Sequence, residues 1–324
     1  MRLIGTRARY GLESRNLTRR GSTSYCHLVQ RARLALRPVD KLLGGYLALL
    51  TLLIIARGGL TNPVYWWLLA MHGLVAVLFY LFSQLQPGDK VGQVIHDLYP
   101  LVLLPVLYSE LGMMTLELGT ANVYAHDAMV QNWEATIFGG QPSYDWIRSA
   151  PSVFWSGLLH LAYLGYYPII VVGPVSLVAI GRREDARRVL LATMLAFVVC
   201  YVVFALFPVA GPNYAFEHPT GAVREVWSAR LVYSLLSSGS AFGTAFPSSH
   251  VAATVAATVA LWYVWRSMAL VVLLPTFLLI VSTVYCQMHY VVDAGIGLVL
   301  GVVAGVVVVR GFTAGEPAAR QSIA

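Results

Sequence analysis

AFPSSHVAATVAATVALWYV, residues 245–264, sets a proline, two serines and a histidine in front of an unbroken apolar run. The run reads as a membrane helix that begins abruptly after Pro247. Ser248 can cap such a helix, and on that ground alone His250 is an incidental interfacial residue. A second stretch, YCQMHYVVD at 285–293, changes the reading. His289 and Asp293 are four residues apart, which on a helix places them on one face, one turn from each other.

The rest of the chain says where these stretches lie. Of 324 residues 58% are hydrophobic and only 11% charged, against about 25% charged in soluble domains. The chain therefore reads as an all-α, polytopic membrane helix bundle. Apolar runs near 42–56, 63–86, 98–119, 151–180, 189–208, 247–265, 268–287 and 289–309 give about eight spans. Residues 1–40 read as a basic disordered cytoplasmic tail, 41–310 as a membrane-embedded catalytic domain and 311–324 as a short cytoplasmic tail. With both termini in the cytoplasm, only Arg57, Arg148, Arg224 and Arg230 of the 22 Lys and Arg fall on the outer side. The net charge of +7 is mostly this bias, so the basic tail points to anionic lipid headgroups and not to nucleic acid. No cleavable signal peptide is expected, and a bacterial plasma membrane fits. Cys26, Cys200 and Cys286 are scattered and suggest neither a disulfide framework nor a zinc site.

Under this topology His250, His289 and Asp293 all reach the outer surface of the bilayer. Ala252, Ala256 and Ala260 on one span, and Gly297, Gly301 and Gly305 on another, would let the two helices approach closely. A carboxylate on one imidazole nitrogen leaves the other free as a base or nucleophile. A second histidine can protonate a departing oxygen, and the helix start at Ser248 and Ser249 suits a phosphate. The set reads as a phosphoryl-transfer site with a phosphohistidine step. No metal or cofactor is expected, since the chain has no HExxH, CxxC or Walker-type motif.

These residues resemble the type 2 phosphatidic acid phosphatase superfamily. PSSH at 247–250 stands for its second motif, and HYVVD at 289–293, with Ser282 upstream, for its third. More narrowly, IFGGQPS, FPVAGPNYAF, TAFPSSH and TVYCQMHYVVD look like the branch of inositol phosphorylceramide synthases and related inositolphosphotransferases. The resemblance implies a six-helix core with its site on the outer face. It implies His289 as nucleophile, Asp293 as its orienter and His250 as the acid or base. In the synthase branch a phosphate-linked head group moves from a phospholipid to a lipid alcohol; in the phosphatase branches water is the acceptor.

The chain departs from the pattern in its basic residues. The first motif, Lys-x6-Arg-Pro, is absent, since RARLALRP at 31–38 is one residue short and on the cytoplasmic side. Thr283, Gln287 and Asn213 stand where arginines are expected, so Gln287 and Asn213 become the candidate phosphate ligands. Arg224, Arg230 and His218 form a possible substrate loop that could replace the lost charge. A phosphodiester carries one negative charge, and the departure favours head-group transfer over monoester hydrolysis. The alternatives are a lipid phosphate or prenyl pyrophosphate phosphatase using the same residues, and a non-enzymatic lipid transporter or scaffold. Among other residues, Glu110 is expected to bind an acceptor hydroxyl or pair with His160, and Glu117 to reach the interface. His126 and Asp127 read as solvated loop residues, within a segment at 120–150 lying on the membrane surface. Tyr163, Tyr166 and Tyr167 read as interfacial packing.

Overall fold

The computed structural model describes residues 36–58, 61, 63–83, 90–117 and 119–321; side chains at 64, 116–117 and 312–321 lie outside it. The expected tail at 1–40 and the interfacial role of Glu117 fall almost wholly outside that range. Among the described residues there are fourteen helices and no strand, only an isolated parallel bridge between Val209 and Thr244. In chain order they are α1 (Pro38–Ala56), α2 (Pro63–Ser83), α3 (Lys90–Glu117), α4 (Thr120–Phe138), α5 (Pro142–Ser149), α6 (Val153–Leu164) and α7 (Tyr166–Ala179). There follow α8 (Arg183–Leu206), α9 (Pro212–Ala215), α10 (Ala222–Glu225), α11 (Trp227–Gly239), α12 (Ser249–Val264), α13 (Arg266–Tyr285) and α14 (Val291–Gln321).

The eight expected apolar stretches are all helical, but among the described residues only six helices, or seven if one bent pair counts as a single span, are long and apolar enough to cross a membrane. The six are α1, α2, α3, α8, α13 and α14. The expected span at 151–180 is two helices, α6 and α7, bent by 42° at Gly165. Pro168 explains the break, because its ring has no N–H and displaces the carbonyl of Leu164. The sixth expected span, α12, has 16 residues and is about 24 Å long, short of the ~30 Å hydrocarbon layer. It is buried along most of its length, packed against α14, α8 and α13.

The α12–α14 contact is close because α14 has no side chain at three points. A Cβ on Gly297 would lie 2.5 Å from the Ser248 carbonyl oxygen, and one on Gly301 2.5 Å from that of Ala252. On Gly305 it would lie 2.7 Å from Val259 Cγ1. The expected pairing of these two helices is present, in a register that also uses Val251, Val255 and Val259.

The two ends of the bundle differ in kind. At one end Asp97 is buried among Arg183 (2.5 Å), Arg187 (2.8 Å) and Arg37 (3.7 Å). Arg37, from RARLALRP, holds Asp40 in the first turn of α1. This is far from His250 and His289, at the end where α3 and α8 begin. The opposite end carries α4–α5 and α9–α11. The segment at 120–150 is helical, and α4 turns a stripe of Val123, Asp127, Val130 and Glu134 inward. The expectation of solvated His126 and Asp127 is overturned. Asp127 is 1% exposed, and His126 stacks on Phe207 with Nδ1 against the Pro208 carbonyl at 2.9 Å. Glu110 pairs across the bundle with His72 of α2 (3.2 Å) and not with His160. His160 is turned back onto Ser156 of its own helix.

Candidate active site

The start of α12 is built for an anion. Ser248 is its N-cap and accepts from the Val251 N–H at 3.4 Å. That satisfies one of the first-turn donors and leaves those of Ser249 and His250 outside the helical ladder. The His250 ring stacks on Tyr163 (centroids 5.0 Å) and lies against Tyr166 (4.4 Å), both positioned by the bend at Gly165. Its Nε2 is 3.3 Å from the Tyr163 hydroxyl, and its Nδ1 is buried without a partner. These tyrosines therefore face the site, where interfacial packing was expected.

His289 is not on a helix. The α13 helix ends in a Schellman turn, with the Met288 N–H on the Thr283 carbonyl (2.9 Å) and the Gln287 N–H on that of Val284 (3.0 Å). Such a turn needs a left-handed residue, and Gln287 supplies it with φ of 60°, at roughly 1–2 kcal/mol for a residue with a Cβ. The side chain holds it there. Gln287 Nε2 donates to the carbonyls of Pro212 (3.1 Å) and Glu217 (3.0 Å), and its Oε1 accepts from Arg148 (2.8 Å). Gln287 is thus a fully occupied loop tie and not a phosphate ligand. Arg148, read from sequence only as an outer cation, is its clamp.

The turn delivers His289 with Nδ1 3.0 Å from the Ala245 carbonyl. A carbonyl only accepts, so Nδ1 carries the proton and Nε2 the lone pair. Burial pushes the pKa of His289 down to about 4, against a smaller upward pull from Ala245, which keeps the ring neutral at pH 7. Asp293 was expected to fix this tautomer. Its Oδ2 lies 3.6 Å from Nδ1, beyond hydrogen-bond range, and accepts from the Tyr290 N–H at 2.9 Å instead. Ala245 sets the tautomer, and the Asp293 carboxyl, with Oδ1 unpartnered, stands behind it. The two histidine rings are 5.8 Å apart.

Two carboxylates of α4 hold the backbone on either side of His289. Asp127 accepts from the N–H groups of Ala210 (2.6 Å) and Gly211 (3.1 Å) and from the Tyr290 hydroxyl (2.8 Å). Glu134 accepts from the Val291 N–H and so caps α14. Burial raises the pKa of both, that of Glu134 to about 7. Sequence reading missed them; the signal was their spacing of seven, which puts both on one helical face.

The histidines form part of the wall of a cavity of about 530 Å³. Ser249, Asn213, Thr244 and Tyr163 complete its polar end, and α3, α7 and α11 supply an apolar remainder. Ser248, buried as a cap, does not reach it. A second chamber of about 550 Å³ shares Asn213, Tyr214 and Leu236 with the first and contains Glu217, His218 and Arg224. Arg224 there lies over the Tyr233 ring at 4.4 Å. Arg230 is exposed and lines neither chamber. Among the described residues no three His, Cys, Asp or Glu side chains gather as a metal ion would require.

A family model described as the PAP2 superfamily matches residues 130–307, a range that includes His250, His289 and Asp293. The chain belongs to the PAP2 superfamily. Members are phosphatases and phosphotransferases acting on phospholipids or lipid phosphates in a membrane, and the chain is an enzyme of this superfamily. The PAP2 match begins within α4 and leaves α1–α3 outside. No curated protein and no solved structure matches.

Proposed function

We propose that the protein is a phosphotransferase that moves a phosphate-linked head group from a phospholipid to a lipid alcohol, as in the inositol phosphorylceramide synthase-like branch. One observation carries this reading. Two histidines lie in the wall of a largely apolar cavity, none of whose lining residues is Lys or Arg, and a second chamber with Glu217, His218 and Arg224 adjoins it through Asn213, Tyr214 and Leu236. A phosphodiester brings a single charge, a hydrocarbon and a polar head, and so fits both chambers. A monoester dianion would ask for the cations that Thr283, Gln287 and Asn213 do not supply.

In this mechanism the first-turn N–H groups of α12 hold the phosphate. His289 Nε2 attacks phosphorus, and the bond from phosphorus to the leaving lipid oxygen breaks. His250, holding a proton beside the bound phosphate's negative charge, passes it to that oxygen. The phosphohistidine is an imidazolium, stabilised by the Ala245 carbonyl on Nδ1, with the Asp293 carboxyl behind it. The acceptor hydroxyl then attacks phosphorus, gives its proton to His250, and His289 is released neutral. The catalytic domain is 41–310, its site on the outer face of a bacterial plasma membrane with both termini cytoplasmic. The arginine-rich end opposite the site supports that orientation.

The test is a mass balance on purified protein beside His289→Ala, with labelled phospholipid and a mixture of ceramide and diacylglycerol. New phospholipid that is lost in the variant, with acid-labile label on the wild-type protein, is the expected result. Free phosphate alone, also lost in the variant, would make water the acceptor and the enzyme a lipid phosphatase. Turnover indifferent to His289 would refute the site.

A further inference from the structure

Helices α1–α3 precede the region matched to the PAP2 superfamily, yet α3 borders the cavity directly. Leu101, Leu104, Pro105, Tyr108 and Ser109 line it, at spacings of three and four residues that make one continuous helical face. This face runs about 12 Å along the helix. Its upper end is fastened to the segment that orients His289. The Tyr108 hydroxyl pairs with Thr244 Oγ1 (3.0 Å) and accepts from the Ala241 N–H (3.2 Å). Ala245, one residue on, is the acceptor for His289 Nδ1.

Packing fixes the same joint. A Cβ on Gly112 would lie 3.0 Å from the Ala241 Cβ, and Gly243, at φ of +86°, leaves no room for a Cβ against Thr115. The wall therefore stands at a set distance from the histidines. Opposite it, Tyr167, Val171 and Leu235 are exposed at the rim, so the cavity opens sideways between α3, α7 and α11.

We propose that α3 is the specificity-determining wall of the enzyme: Leu101, Leu104 and Pro105 gauge the hydrocarbon of the phosphate-bearing donor lipid. The inference rests on the reading given under Proposed function. It assigns the occupant to the donor because one phosphodiester joins a hydrocarbon to a polar head: the apolar face of α3 and both histidines line one cavity, and the chamber holding His218 and Arg224 adjoins it through Asn213, Tyr214 and Leu236. A helix added to the superfamily's matched core would thus decide which lipids reach the shared chemistry.

The test separates binding from turnover. A phospholipid with a diazirine in its acyl chain is photolysed with the full-length protein in vesicles, as wild type and as His289→Ala. The labelled residues are then mapped by mass spectrometry. Labelling concentrated on the 101–109 face, displaced by unlabelled phospholipid and cut at least fivefold by Leu101→Trp, is the expected result in both backgrounds. Leu104→Ala should enlarge the cavity and shift the long-to-short chain preference in kcat/KM opposite to Leu101→Trp, each by about tenfold. Label spread over outward residues such as Leu274 and Phe277, or unchanged in folded Leu101→Trp protein, would overturn the proposal. So would labelling of this face by photoreactive ceramide or diacylglycerol and not by phospholipid. Because labelling needs no turnover, an inactive but correctly labelled protein would refute the proposed reaction and leave the wall standing.

Discussion

Replacing Gly297 with alanine inserts one methyl group where α14 meets the mouth of α12. The new Cβ would lie 2.5 Å from the Ser248 carbonyl oxygen and 3.3 Å from both Ser248 Cβ and Val251 Cβ. Ordinary contact begins at 3.4 Å, so the helices must part by roughly 0.9 Å, since neither backbone can give way as a flexible side chain would. Overpacking of this kind costs about 1–3 kcal/mol. The larger effect is on chemistry. Gly297 is one turn beyond Asp293, and Ser248 donates its N–H to the Asp293 carbonyl at 3.0 Å, so parting the helices at this point moves His250 away from His289. A misplacement of about 1 Å between reacting groups is worth up to ~100-fold in rate.

Two sister substitutions isolate the cause. Gly301→Ala meets the Ala252 carbonyl at the same 2.5 Å but a turn further from the histidines; it should lose as much stability and less than tenfold in kcat. Gly295→Ala meets nothing within 4 Å and should stabilise α14 by about 0.5–1 kcal/mol. The assay is kcat on the phospholipid the wild type turns over, with thermal unfolding in detergent beside it. Wild-type kcat in folded Gly297→Ala, or equal loss in Gly297→Ala and Gly301→Ala, would refute the argument that this contact sets the spacing of the histidines.

Three further outcomes follow from other contacts. Burial raises the Glu134 carboxyl to about 7, so the folded state holds that proton more tightly than the unfolded one. Its contribution to stability is present below about 4.5 and is lost as pH rises through 7; wild type should therefore lose ground to Glu134→Gln between pH 5 and 8. Parallel melting curves over that range would refute it. Tyr108→Phe leaves the Ala241 N–H and Thr244 without their partner, a cost of about 1–3 kcal/mol; kcat should fall about tenfold, and unchanged kcat would mean that the 241–245 segment holds itself. His72→Ala strands Glu110 in the bundle and should cost about 3–5 kcal/mol, whereas His72→Leu with Glu110→Leu should come close to wild type. Equal unfolding of the single and double variants in denaturant titrations would count against a buried pair.

The sequence made the spans legible because apolar length is a property of a segment by itself. It also placed His250 and His289 at one end of the bundle, because alternate threading of spans is enough to do so. What it could not show were the partners that each polar group chooses across the fold. His160 was available to Glu110 on paper, but Ser156 lies four residues before it on the same helix and takes its ring, leaving His72 to cross over from α2. Asp127 and Glu134 were hidden by their setting. A segment with five charged or histidine positions looks solvated, yet the loop at 208–211 and the start of α14 offer unpaired N–H groups that only buried carboxylates can meet. The Asp293 expectation failed for a related reason. Its spacing from His289 assumed a continuous helix, and the Schellman turn at Gln287 takes His289 off it, so a backbone carbonyl reaches Nδ1 first. The residues that failed to obey helical arithmetic are those next to the site, because an imidazole can be aimed at a substrate only where the backbone leaves the helix and its own hydrogen bonds must be met by side chains from elsewhere.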